Sequence, residues 1–222
     1  MLTLYQFRSC PFCGKVRAFL NHTQTPFEVV EVTPFGMKEL DFTEHRKVPV
    51  LRDGEQVIVE SAAIVQHLNQ HHATLPVAEN AEEWMQWVDN KLVHFLPLLV
   101  HPDFRTSFSN FATVMSREQI AGIKGFVVRL GGAVVMPKVA RKMKAKHQIE
   151  DATAEFAEAI DHWVNDGLVG KRFFAGEQPG QVDTSVFGVL HSVDGLGILE
   201  REKARNEAFA RWYDACAVTM AA

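Results

Sequence analysis

The first thirty-two residues hold the pattern that most restricts the fold. Two short runs rich in β-formers, "LTLYQF" (Leu2–Phe7) and "PFEVVEV" (Pro26–Val32), flank one helix-length segment. Strands joined through a helix pair in parallel, because only a long crossover returns the chain to the same end of the sheet. The helix between them opens at Cys10-Pro11, with Pro11 at a first helical position where a missing N–H costs nothing. Val16, Phe19 and Leu20 give it an apolar stripe, and the cluster from Asn21 to Pro26 ends it. A short, poorly patterned helix is expected around Met37–Thr43. The run "VPVLRDGEQVIVES" then supplies two strands, Pro49–Arg52 and Gln56–Val59, joined at the hairpin signal Asp53-Gly54. "SAAIVQHLNQHH" (Ser61–His72) reads as a helix with Ser61 as its N-cap. The order is β-α-β-α-β-β-α.

After a linker by composition, Ala73–Asn80, strand alternation stops and helical periodicity takes over. Helices are expected near Glu82–His101, Ser116–Pro137, Asp151–Asp166, Asp183–Asp194 and Lys203–Met220. The fold class is an α/β thioredoxin-like N-terminal domain, residues 1–76, followed by an all-α domain, residues 77–222. A formal charge of −4 gives no general attraction to nucleic acid or anionic lipid. The basic run Pro137–Gln148 reads as a solvated helix face. The most apolar stretch, Gly125–Met136, is too short to cross a bilayer and is interrupted by Arg129, so no membrane insertion is expected. Three cysteines, an odd number, and no signal peptide point to the reducing cytoplasm.

Two of those cysteines form the C-x-x-C of "RSCPFCGKVRAFL". A cysteine at a helix N-terminus meets unpaired backbone N–H groups and the positive end of the helix dipole, which favour the thiolate. Cys10 is the expected nucleophile, with Arg8 and Lys15 as nearby positive charges. Cys13, one turn further in, is the resolving or supporting thiol. A metal reading of the pair lacks partners, because structural zinc wants four protein ligands and Cys216 is the only other cysteine. His67 and His71, at i, i+4, read as a polar surface pair, and no metal is assigned. Val48-Pro49 stands before a strand, where a proline in either isomer fits. Ser61 opens a helix whose N-terminus suits a carboxylate, and Glu60 could pair with an ammonium group. Phe12 is a candidate wall for an apolar substrate.

C-P-F-C after the first strand, V-P before the third and E-S opening the last helix of the first domain resemble the glutathione transferase superfamily. That resemblance implies a glutathione site in which Val48 offers its backbone beside cis-Pro49. Glu60 and Ser61 would hold the γ-glutamyl group, and Cys10 would face the glutathione sulfur. The longer runs "LTLYQF…CPFCGKVRAFL", "PFEVVEVTP", "RKVPVL" and "DTSVFGVLHSVDGL" resemble the membrane-associated prostaglandin E synthase type 2 family. In that family the first cysteine of the motif is implicated in isomerising a prostaglandin endoperoxide, and glutathione with haem can occupy the site. Phe7 stands where the family carries tyrosine, so the substrate side lacks a phenol hydroxyl. The hydrophobic N-terminal extension of the animal members is not in this sequence, and no membrane anchor is expected. Gly180 stands where the superfamily usually places a capping serine or threonine, three residues before Asp183.

The leading expectation is a glutathione-dependent thiol enzyme acting on a small apolar electrophile, a peroxide or a mixed disulfide. The rivals are a prostaglandin H to E endoperoxide isomerase and a non-catalytic module that binds glutathione with haem. A homodimer is what the superfamily implies.

Overall fold

The computed structural model describes residues 1–33, 36–117 and 122–221. The N-terminal sheet has four strands, β1 (Leu2–Gln6), β2 (Phe27–Glu31), β3 (Val50–Asp53) and β4 (Gln56–Val59), in the order β2-β1-β3-β4. β1 and β2 run parallel around the crossover helix α1 (Pro11–His22), as the β-α-β spacing requires. β3 is antiparallel to both β1 and β4. Asp53 pairs with Gln56, so the hairpin turns on Gly54 and Glu55, with Gly54 in the left-handed region that glycine reaches without strain. The helix expected at Met37–Thr43 is reduced to one 3-10 turn, Lys38–Leu40, entered through Met37 at a φ of 45°. α2 (Ser61–His71) completes the layer.

Period-two alternation sends β1 side chains to two cores. Leu2 and Leu4 face α1 and α2, packing with Val16, Phe19, Ile64 and Leu68. Tyr5 faces the other way, with Leu40 and Val50, and Phe7 packs against this second cluster.

The chain folds as two units, one made of residues 1–85, 171–192 and 212–222, the other of 86–170 and 193–211. The first unit takes in α8 (Gln181–His191) and most of α10 (Glu207–Met220), two helices from the far end of the sequence. α8 crosses α1 at two glycines. A Cβ on Gly14 would collide with the Gly188 carbonyl oxygen, and one on Gly188 would collide with that of Gly14. The far end of α1 is tied to α10, where Asn21 Nδ2 donates to the Met220 carbonyl at 3.0 Å.

At the start of α8, buried Asp183 collects three donors. Its Oδ2 accepts from the Gly180 N–H at 2.8 Å, and its Oδ1 from the Phe174 N–H at 3.0 Å and Trp212 Nε1 at 2.8 Å. Burial pushes this carboxyl upward against the pull of those donors. Gly180 caps without a side chain for a steric reason, since a Cβ there would stand 2.6 Å from the Pro76 carbonyl oxygen.

α3 (Ala81–Trp87) begins in the first unit and carries the chain into the second, continuing through a π-helical turn, Val88–Leu92, into α4 (Val93–Val100). α5 (Phe104–Arg117) falls outside the expected helices but for its last two residues, although Phe104, Phe108 and Phe111 recur at helical spacing. The helix expected over Ser116–Pro137 includes residues 118–121, which lie outside the described residues. α6 (Gly122–Lys146) corrects its end, because the chain stays helical through Pro137. Proline already has a helical φ, so the helix continues although the ring removes one N–H bond and crowds the carbonyl one turn back. Arg129 interrupts the apolar run for a reason: its guanidinium lies 3.9 Å from the Phe108 ring centroid and its Nε donates to the Phe108 carbonyl at 2.7 Å. No described helix is long and apolar enough to cross a membrane. α7 (Ala152–His162) starts on a true cap, with Asp151 Oδ1 accepting from the Thr153 and Ala154 N–H groups. α9 (Ile198–Arg205) is held to α7 by Arg205, which reaches Asp161 at 2.7 Å.

Candidate active site

Cys10 is the N-cap of α1, with extended backbone (φ −78°, ψ 122°) and Pro11 directly after it. The turn from β1 closes with the Cys10 N–H donating to the Phe7 carbonyl at 3.1 Å, and the helix begins with Gly14 donating to the Cys10 carbonyl at 2.9 Å. This leaves the Cys10 sulfur beside the first-turn N–H groups, which have no partner inside the helix. The two thiols are unequal. Cys13 is fully buried, whereas Cys10 is partly exposed. The Cys10 pKa is lowered to about 7, first by a hydrogen bond from the Cys13 side chain, then by the Cys13 and Phe12 backbone N–H groups and the Arg17 charge, against burial. Cys13 is pushed well up, chiefly by burial.

Arg17, a cation other than the Arg8 and Lys15 to which the sequence points, helps hold the Cys10 thiol down. Lys15 is fully buried, and Arg8 pairs with Glu31 at 3.6 Å. Arg17 is held in place as Nη1 donates to Gln6 Oε1 at 2.6 Å and Nη2 to the Arg8 carbonyl at 2.8 Å. Buried Gln6 is in turn fixed by donating to Glu31 Oε1 at 2.8 Å. The sequence does carry a signal for Arg17, since positions 10, 13 and 17 share one face of a helix.

Strand register brings the other expected residues to the same end of the sheet. Tyr5 pairs with Val50, so the Val48–Pro49 peptide, which is cis, precedes β3 beside the end of β1. Val50 pairs with Val59, so Glu60 and Ser61 leave β4 at that end too. One expectation is corrected here. Glu60, not Ser61, is the N-cap of α2, because Ile64 N–H donates to the Glu60 carbonyl at 3.0 Å. Glu60 has a φ of 65°, which costs a non-glycine residue about 1–3 kcal/mol and is a mark of functional positions. That turn places buried Ser61 at the first helical position, among the N–H groups that point off the helix end. Phe12 lies in the first turn of α1 and is partly exposed. Phe7, partly buried, packs against the second core.

A mixed four-stranded sheet of this order, with a thiol opening its first helix and helices making up the rest of the chain, defines a glutathione transferase-like protein. The chain belongs to the glutathione transferase superfamily: the family described as glutathione S-transferase, N-terminal domain, matches residues 4–79, and that of the C-terminal domain matches residues 146–215. Within the superfamily it is similar to prostaglandin E synthase 2. The Danio rerio protein is 26% identical over 261 residues, covering 96% of this chain and 69% of that one. The Mus musculus protein is 26% identical over 263 residues, covering 96% and 68%. Among solved structures, a glutathione S-transferase from Rhodospirillum rubrum has a TM-score of 0.64 at 18% identity, covering 98% of this chain and 88% of its own. A rice glutathione S-transferase in complex with glutathione has a TM-score of 0.61 at 20% identity, covering 97% and 87%.

The unequal thiols predict a pH profile. Because the thiolate is the reactive form, alkylation of the native protein by iodoacetamide should rise with pH through a midpoint of about 7 and add one label, at Cys10. Mass spectrometry of the labelled peptides checks this. A midpoint in the ordinary thiol range, or equal labelling of Cys13, would contradict the arrangement.

Proposed function

We infer that the protein catalyses glutathione-dependent thiol transfer at Cys10. The reading is supported above all by one observation, a partly exposed thiol drawn down to about 7 beside a buried thiol pushed up. In the first step the Cys10 thiolate attacks the glutathione sulfur of a mixed disulfide, R–S–S–G. The Cys10–glutathione disulfide forms, and R–S− leaves and takes a proton. A second glutathione thiolate then attacks the glutathione sulfur of that disulfide, releasing oxidised glutathione and restoring the Cys10 thiolate. The net reaction is exchange of one disulfide for another, with no external oxidant. Val48 would orient glutathione through its backbone beside cis-Pro49, and Glu60 and Ser61 would take the γ-glutamyl end. All four stand at the Cys10 end of the sheet. Phe12 would meet the apolar part of the second substrate.

The test is turnover of a glutathionylated peptide by the full chain with glutathione at neutral pH, coupled through glutathione reductase to NADPH consumption. Catalysed turnover is expected; a rate equal to that without protein would overturn the reading. Similarity to prostaglandin E synthase 2 over 96% of the chain favours a second reading, isomerisation of a prostaglandin endoperoxide at the same thiol. Conversion of prostaglandin H to E without thiol-transfer activity would select it. Haem draws on the resemblance alone, and a Soret band in the purified protein that Cys10→Ser removes would replace both enzymatic readings.

A further inference from the structure

The geometry points to a binding site for a divalent late-transition-metal ion of the zinc class, formed by Asp53, His67 and His72. Their ligand atoms lie within 4.8 Å of one another, and two imidazoles converge on one carboxylate oxygen. His67 Nε2 is 3.0 Å and His72 Nε2 2.6 Å from Asp53 Oδ2. Zinc holds imidazole nitrogen and carboxylate oxygen at about 2.0–2.2 Å, which sets tetrahedral ligands roughly 3.3–3.5 Å apart. Opening the two hydrogen bonds by less than about 1 Å, with the two imidazole nitrogens brought from within 4.8 Å of each other to the same spacing, admits the ion, which replaces the protons between them. Two nitrogens and one oxygen suit zinc, copper or nickel, whereas calcium and magnesium require oxygen ligands.

The ligands stand on ordered elements. Asp53 is the last residue of β3, fixed by pairing with Gln56. His67 is inside α2, and His72 caps its end, where the His72 and Ala73 N–H groups both donate to the Leu68 carbonyl. The three side chains are 25%, 11% and 26% exposed, sheltered yet open to an ion from solvent. With three protein ligands a fourth position is left for water, so the site is of the exchangeable kind. His71, singled out by its spacing from His67, is not one of the three. Its ring stacks obliquely on that of His67, with centroids 4.6 Å apart. The site is separate from Cys10: Asp53 pairs with Leu2, at the start of β1, whereas Cys10 follows the end of that strand.

The test is calorimetric titration of Zn2+ into the chelator-stripped full chain carrying Cys10→Ser and Cys13→Ser, which removes competing thiols. Saturable one-to-one binding is expected. His67→Ala, His72→Ala and Asp53→Asn in that background should each weaken it by at least about tenfold, with His71→Ala close to the parent. Near-UV circular dichroism confirms that each variant is folded. A second measurement needs no ligand variant: Zn2+ should shift the imidazole NMR signals of His67 and His72 before those of other histidines. Uptake that does not saturate by about 1 mM, equal affinity in the His67 and His72 variants, or first shifts at other histidines would each overturn the site.

Discussion

Cys10→Ser is expected to lower the thiol-transfer rate on the order of a thousandfold or more, ~4 kcal/mol of barrier at 1.36 kcal/mol per tenfold. A serine hydroxyl stays protonated in surroundings that ionise a thiol, so the attack on sulfur loses its nucleophile. Cys13 separates support from participation. Cys13→Ser keeps an O–H that can donate to the Cys10 sulfur, so a route through glutathione alone should survive it, and a route through an internal disulfide should fail. Cys13→Ala removes the donor that does most to hold the Cys10 thiol down. A hydrogen bond to a charged group contributes about 1.5–3 kcal/mol, so the alkylation midpoint should rise by about one to two pH units. Stopped-flow alkylation and the coupled turnover assay read the two effects separately. Unchanged turnover in Cys10→Ser would sink the assignment of the nucleophile.

Asp183→Ala should be the most damaging single change to the fold. It strands the Gly180 and Phe174 N–H groups and Trp212 Nε1, three donors that meet on one buried carboxylate. Each buried donor left without a partner costs about 1–3 kcal/mol, so losing this carboxylate costs on the order of 3–5 kcal/mol even if one of the three finds another partner. For a chain of this length that lowers Tm by roughly 6–20 °C, measurable by calorimetry. Asp183→Asn should fall between. Its oxygen can still serve two donors, but its NH2 group then confronts a third N–H. A Tm within about 2 °C of the parent in Asp183→Ala would show that the donors find other partners.

Local rules make the first seventy residues legible. Helix-length separation forces the parallel pair, and Asp53-Gly54 places the hairpin within one residue. Residue preference favours Ser61 as a cap, whereas the left-handed backbone of Glu60 decides the geometry. Pro137 suggests a helix end because proline breaks helices on average, although its own φ is helical. Cys10 is legible from its place at a helix start. Arg17 shares a helix face with Cys10 and Cys13, but its aim at Cys10 is set by Gln6 and the Arg8 carbonyl, a tertiary arrangement. His72 escapes notice for the same reason, since its partner Asp53 is nineteen positions away across a hairpin and a helix.

The approach of Gly14 to Gly188 also imposes a timetable on synthesis. As the chain leaves the ribosome, residues up to 85 can form the sheet, α1 and α2, but α8 arrives only when residue 191 has been made. At about 5–20 residues per second this is an interval of roughly 5–20 s. During it the glycine groove on α1 is uncovered, and the helix that carries Cys10 lacks its packing partner. A fragment ending near residue 85 lacks α8, so thiol chemistry measured on it would describe an α1 with that face open.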